Sequence, residues 1–280
     1  MSTTKRLRAW AGNYLAVILI LVWGLAPFYW MLVTALRDKA HTFDTTPWFT
    51  HVTLQNFQDA LATDKGNDFL GAIINSLIIG GATTLVALAV GVFTAYALAR
   101  MDFPGKGFVT GIILAASMFP GIALVTPLFQ LFGELGWIGT YQALIIPNIS
   151  FVLPLTVYTL TSFFRDLPWE LEEAARVDGA TRGQAFRMVV LPLATPALFT
   201  TAILAFVATW NEFMLARQLS NTSTEPVTVA IARFTGPSAF EYPYAATMAA
   251  GALVTIPLVI MVLIFQKWIV SGLTAGGVKA

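Results

Sequence analysis

The sequence has no cysteine, which excludes disulfides, thiolate metal centres, iron–sulfur clusters and thiol nucleophiles together. Charge is nearly as scarce. Only 11% of the 280 residues are Asp, Glu, Lys or Arg and the formal net charge is +1, whereas an ordinary soluble domain carries roughly 25% charged residues. Such a chain has no concentrated basic face for a phosphate backbone, so nucleic acid is not an expected partner. Histidine occurs twice, as His41 and His51. The pair flanks Pro47-Trp48-Phe49 with no second pair and no carboxylate cluster nearby, so it reads as a poor ligand set, and no metal site is expected. A membrane-embedded enzyme is disfavoured for the same reason. The chain also lacks Gly-x-x-x-x-Gly-Lys-Ser/Thr and hence the usual phosphate-cradling loop. Gly105-Lys106-Gly107 has no upstream glycine and reads as a tight turn.

What is present is apolar surface, in 57% of the residues. That is more than a soluble core of this length can hide, so lipid is the expected second solvent. A spanning helix needs about 20 mostly apolar residues. Six segments qualify, at 14–36, 69–99, 108–132, 141–163, 193–215 and 245–267, predicting an all-α membrane protein with one transmembrane domain over 1–280. The first segment is too long for a signal peptide's apolar region and has no small-residue cleavage site, so it is expected to remain in the mature chain. Both termini then lie on one side. Eleven of the 16 Lys and Arg fall on that side, opposite Arg37, Lys39, Lys65, Arg217 and Arg233. The positive-inside bias makes it the cytoplasmic side and assigns the loops 37–68 and 216–244 to the outside.

Except near their ends, where Glu212 marks the outer mouth of segment five, the segments carry no acid, base or histidine. An ion-coupled secondary solute carrier, the chief alternative, usually keeps such a residue at mid-membrane depth. The remaining polar groups, among them Asn75, Ser76, Asn148, Ser150 and Trp210, suit a neutral polyhydroxylated solute, although such groups also serve helix packing. Asn148, Phe151, Leu155 and Tyr158 share one helical face and form the candidate substrate pathway. Ala87, Gly91, Ala95 and Ala99 recur every four residues, a small-residue ridge for close helix packing. Pro120-Gly121, Pro127, Pro147 and Pro154 permit kinks in segments three and four.

The loop 164–192 carries the chemistry. Pro168 suits a helix's first turn, and Glu170, Glu172 and Glu173 place negative charge at the positive end of the helix dipole. Leu171, Ala174 and Ala175 fall on one face, Gly179 can close the helix in the left-handed conformation, and Thr181 with Gln184 has the capping-box spacing for a second helix. The product is a helix–turn–helix knob on the cytoplasmic side. Its small apolar face suits a groove, and Arg176, Arg182 and Arg187 can meet acids on a partner.

Glu173-Ala174-Ala175, Gly179, Val189 and Leu191-Pro192 resemble the signature of the permease subunits of ATP-binding-cassette importers, with Val189 in place of the usual Ile. Asp178-Gly179-Ala180-Thr181, Gln184-Ala185-Phe186-Arg187, Trp210-Asn211-Glu212-Phe213 and the glycine-rich tail Gly272–Lys279 are similar to the maltose-type carbohydrate group. The resemblance implies the type I importer permease fold, six transmembrane helices with a cytoplasmic coupling loop, in a bacterial or archaeal inner membrane. It also implies a second homologous permease, two ATPase subunits and an extracytoplasmic solute-binding protein. By the same resemblance the chain binds no cofactor, ATP and Mg belonging to the ATPases. Glu173 is expected to form a charged contact with an ATPase, within a coupling set of Glu173, Ala174, Ala175, Arg176, Asp178, Gly179, Leu191 and Pro192. Within the C-terminal tail 268–280, residues 271–280, with Gly272, Thr274, Gly276 and Gly277, are expected to run between the ATPases. Thr235, Gly236, Pro237 and Ser238 are expected to reach the binding protein, and the solute to be a di- or oligosaccharide such as maltose or trehalose.

Overall fold

The structure, a computed structural model, describes residues 3–62, 68–234 and 243–277, with side chains described over 13–62, 68–234 and 243–267. In chain order the helices are α1 (Thr3–Ala35), α2 (Gln55–Leu61), α3 (Phe69–Arg100), α4 (Lys106–Ser117), α5 (Gly121–Glu134), α6 (Tyr141–Asp166), α7 (Trp169–Val177), α8 (Arg182–Leu193), α9 (Thr195–Trp210), α10 (Met214–Leu219), α11 (Val227–Ala232) and α12 (Tyr244–Gly277). Among the described residues the one extended pairing is an isolated bridge between Arg37 and Val52. The all-α expectation holds.

Residues 13–35 of α1, together with α3, α6 and α12, are long and apolar enough to cross a membrane. The pairs α4–α5 and α8–α9 pass the same test jointly, bent by 86° and 70°. Counting each bent pair as one crossing gives the expected six. The first bend falls at Met118–Pro120, where proline offers no backbone N–H to continue the ladder. The second falls at Ala194, and Pro196 stands in the first turn of α9, where a missing N–H costs nothing. In segment four, where Pro147 and Pro154 permit kinks, α6 runs unbroken through both.

The chain divides into two compact units, Met1–Phe69 with Arg233–Ile256, and Leu70–Ala232 with Pro257–Ala280. In the first, α1 buries only its end, at Val33, Thr34 and Ala35, and leaves Tyr14 to Leu25 open, as a helix bathed in lipid would. The loop after α1 is tightly pinned. Arg37 is 1% exposed, donates to the carbonyls of Asp44 and Thr46 and lies 5.4 Å from the Trp30 ring centroid. Asn56 Nδ2 donates to the carbonyls of Ala35 at 2.9 Å and Arg37 at 2.6 Å. These bonds bring the loop's two ends together, with Asp38 N–H donating to the His51 carbonyl at 3.1 Å. The His41 and His51 rings consequently stack, centroids 3.7 Å apart and planes 2° from parallel, while His41 Nδ1 lies 2.7 Å from Asp38 Oδ1. That hydrogen bond holds the Asp38 carboxyl below its ordinary range. Asp38, His41 and His51 therefore lie together, contrary to the expectation that no carboxylate joins the histidines, because pairing of the loop's ends is a non-local event.

In the second unit the small-residue ridge of α3 is buried as packing requires. Ala87 meets Val152 and Ala205, and Ala95 joins Leu160, Phe164, Phe186, Val190 and Ala194 in one cluster. Between them Gly91 lies so close to α6 that an added Cβ would sit 2.6 Å from Thr156 Cγ2. At the other end of α3, Ile79 packs with Phe132, Leu144, Leu215 and Leu219. The Asn75 side chain is fully engaged there. It donates to the carbonyls of Ser223 at 3.1 Å and Glu225 at 3.0 Å and accepts from Tyr141 Oη at 2.6 Å. Ser76 Oγ accepts from Val227 N–H. Both residues tie the loop after α10 to α3 and serve architecture.

Gly91→Ala is expected to lower stability by roughly 1–3 kcal/mol through overpacking. Gly81→Ala, where a Cβ meets nothing within 4 Å, serves as the control. Thermal unfolding of the detergent-purified protein measures both, and equal midpoints would refute the close approach.

Candidate functional site

The knob is built as the sequence suggests. In α7 the chain ends in a full Schellman closure, with Ala180 N–H donating to the Ala175 carbonyl at 3.0 Å and Gly179 N–H to Arg176 at 3.1 Å. Gly179 has a φ of +92°, and a Cβ added to it would meet nothing within 4 Å, so conformation and not space demands glycine there. The capping box forms as expected, Gln184 N–H donating to Thr181 Oγ1 at 3.3 Å and Thr181 N–H to Gln184 Oε1 at 2.8 Å. The helix it opens widens into a π turn over Phe186–Val190, and Ala185, Phe186 and Val190 are buried, the last two anchoring it on α3 and α6.

Glu173, Ala174, Arg176, Asp178, Gly179 and Pro192 are exposed, and Ala175 and Leu191, the most protected of the set, are half-buried. The expected apolar face is therefore open, with Leu171 42% exposed. Val177 and Met188, 87% and 69% exposed, extend this outward surface and escaped the sequence reading, which followed only the 3–4 spacing from Leu171.

The other omission is Glu172. All three first-turn acids read alike in sequence, but Glu172 is 6% exposed and its Oε1 accepts from Tyr96 Oη at 2.6 Å. Beside it Arg100, also buried, donates to the Leu167 carbonyl at 2.7 Å and sits 4.5 Å from the Trp169 ring centroid. These contacts fasten the start of the knob to the end of α3. No local spacing in the sequence distinguishes Glu172 from its neighbours, since its partner lies on another helix.

The pathway candidates separate. Asn148, Phe151 and Leu155 line an open cavity of about 320 Å³ whose other walls are the start of α5 and α9, with Thr201 and Glu212 among its few polar residues. Tyr158 lines a different cavity of about 200 Å³, near Arg165. Asn148 is 4% exposed and gives its Nδ2 to the Leu144 carbonyl at 2.9 Å. The Glu212 carboxylate accepts from the N–H groups of Leu215 and Ala216 at 2.8 and 3.0 Å, so it caps α10. Gly272, Thr274, Gly276 and Gly277 continue the backbone of α12 as helix. Thr235, Gly236, Pro237 and Ser238 lie outside the described residues.

Residues 87–275 match the family described as binding-protein-dependent transport system inner membrane component. The trehalose transport system permease protein SugB of Mycobacterium tuberculosis (strain CDC 1551 / Oshkosh) is 45% identical over 273 residues, covering 96% of this chain and 98% of its own. The trehalose/maltose transport system permease protein MalG of Thermococcus litoralis is 42% identical over 267 residues, covering 95% of each chain. Among solved structures, a chain from a bacterial ABC transporter involved in the import of alginate is similar in fold, with a TM-score of 0.77 and 21% identity, covering 95% of this chain and 98% of that one.

Tyr96→Phe is expected to cost roughly 1–3 kcal/mol, because it strips a buried carboxylate of its donor. Tyr96→Phe combined with Glu172→Leu should recover much of that loss. Thermal unfolding of both variants is the measurement, and a Tyr96→Phe midpoint equal to wild type would remove the contact from the account.

Proposed function

The chain belongs to the binding-protein-dependent transport system inner membrane component family, and from that premise we propose that it passes a di- or oligosaccharide, such as maltose or trehalose, across the membrane. A permease of this family is a non-catalytic membrane subunit of an ABC importer, and ATP is hydrolysed on separate ATPase subunits. That membership sets aside the ion-coupled carrier. On our reading the chain forms the pathway with a second, homologous permease, meets two ATPases at the knob and receives the sugar from an extracytoplasmic binding protein. Both termini face the cytoplasm, in keeping with the bias of Lys and Arg toward that side.

The single observation that carries this reading is the knob itself. The family's signature residues, Glu173 to Pro192, form a two-helix projection whose outward face is exposed and whose inward face is locked to α3 and α6. A projection fastened in that way turns motion of a bound partner into motion of the membrane helices. Glu173, Ala174, Ala175, Arg176, Asp178, Gly179, Leu191 and Pro192 make the coupling surface. Gly272, Thr274, Gly276 and Gly277 extend it between the ATPases. The cavity beside Asn148, Phe151 and Leu155 is this chain's share of the pathway, and its apolar walls with the Phe151 ring suit the faces of a sugar. The names of the relatives, which specify trehalose and maltose, support that solute class.

The first test is purification of the tagged chain from its host in mild detergent, with native mass spectrometry. Recovery with one further permease and two ATPase copies is expected, followed by sugar-stimulated ATPase activity on adding the binding protein. Recovery alone, even after crosslinking before extraction, would defeat the proposal.

Two substitutions separate coupling from passage. Gly179→Val is expected to abolish most sugar-stimulated ATPase activity, since a β-branched residue resists a φ of +92°; Gly183→Ala, in open space within α8, should not. Asn148→Ala is expected to lower uptake at limiting sugar while leaving assembly unchanged. Full coupled activity in the first, or wild-type uptake in the second, would remove that residue from its role.

A further inference from the structure

The loop that follows α1 holds a cluster that the transport reading leaves unused. The chain's two histidines lie ten residues apart yet stack face to face at 3.7 Å. One donor atom each from Asp38, His41 and His51 lies within 4.8 Å of the others. The scaffold beneath them is rigid by its bonding. Arg37 and Asn56 fix the start of the loop through four carbonyls, and Asp38 N–H and Thr53 N–H close it onto His51 and Leu36. His51 has a φ of +53°, the one left-handed residue other than glycine among those described. Such a conformation persists where its surroundings over-determine it, and here it turns the His51 ring onto His41.

We propose that Asp38, His41 and His51 form a divalent transition-metal site, with Zn2+ the ion that suits the donors best. Two imidazole nitrogens and one carboxylate oxygen are the ligand mixture of an open zinc site, which keeps its fourth position for water. Mg2+ and Ca2+ demand oxygen donors throughout and fit poorly. Two ligands on one tetrahedral zinc stand about 3.3 Å apart, given bonds of roughly 2.0–2.1 Å. The Asp38–His41 contact at 2.7 Å is shorter than that because a hydrogen bond joins the two groups. Zn2+ binds the Nδ1 lone pair of the neutral ring in the tautomer that carries its proton on Nε2, and the contact opens slightly. The side chains of His41 and Asp38 are 35% and 43% exposed and His51 is exposed, so the rings have room to turn from their stack toward a common ion. A bound ion would clasp the loop between Asp38 and His51 at its base. The site does not depend on which solute the chain carries or on how it is coupled.

The test uses the full-length chain in detergent, purified through a tag without histidine, stripped with EDTA and titrated with Co2+ and then Zn2+. One Co2+ per chain is expected, with visible ligand-field absorption that Zn2+ abolishes. His41→Gln and His51→Gln should each weaken binding roughly tenfold or more, and Asp38→Asn should weaken it as well. A second readout needs no variant. Because the sequence has only these two histidines, Zn2+ should protect the wild-type chain from imidazole acylation, and EDTA should restore the reaction. Absence of Co2+ binding, binding that both glutamine variants retain, or acylation unaffected by Zn2+ would each overturn the site.

Discussion

A carboxylate buried where a membrane helix ends has to be held by something within the chain. At the end of α3 Tyr96 does this for Glu172, with a hydrogen bond of 2.6 Å, and much of the knob's placement depends on it. An unpaired carboxylate in such a setting costs several kcal/mol, so α7 is kept with its first turn against α3. Arg100 works from the same side. Its guanidinium spans from the Leu167 carbonyl to the Trp169 ring and fixes the two residues on either side of Pro168, where the chain turns from α6 into α7. With that turn fixed and Glu172 occupied inward, Glu173 and Ala174 project outward.

Local features of the knob were legible in sequence because their physics is local. A Thr-x-x-Gln spacing makes a capping box from bonds three residues apart, and a glycine after a helix makes a Schellman closure within the same last turn. The small-residue ridge of α3 was legible for the same reason, its period being that of the helix. What sequence did not reveal depends on partners far along the chain. Asn75 has the composition of a pathway residue, yet its bonds to Ser223, Glu225 and Tyr141 commit it to architecture. Glu172 and Glu173 differ in role only because one faces Tyr96, 76 residues away. Tyr158 kept the right helical face but lies a turn too far from the cavity that Asn148, Phe151 and Leu155 share. His41 and His51 meet because bonds across Arg37, Asp38 and Thr53 close a loop whose closure leaves no periodic trace.

Proline shows the limit of a residue-type rule. Pro147 and Pro154 sit within an unbroken α6, while Pro120 stands at a bend of 86°. The difference lies in the surroundings. Much of the α6 stretch between the prolines, including Asn148, Val152 and Pro154, is buried among neighbouring helices, so lost backbone bonds are offset by packing on several sides. Around Pro120 the residues Met118, Phe119 and Ile122 are exposed, and no such packing straightens the chain. The bend directs α5 across the end of α6, which is how Gly121, Ile122 and Val125 come to wall the cavity.

The cavity and the knob share α6, and that sharing defines how a signal could pass between them. Leu160 and Phe164, near the end of α6, pack with Phe186 and Val190 of α8, while Asn148, Phe151 and Leu155, earlier on the same helix, line the cavity. A displacement of the knob is thus a displacement of the cavity wall, with no loop between to absorb it. The breaks lie between α4 and α5, whose start walls the cavity, and between α8 of the knob and α9, which also walls it. The wall formed by α6 is continuous and those formed by α5 and α9 follow a bend, so on the proposed reading one side of the pathway transmits a movement and the others have a place to bend. On the proposed reading, the direction of coupling follows from geometry within this chain, while the energy for it would come from ATPases bound at the exposed face of the knob.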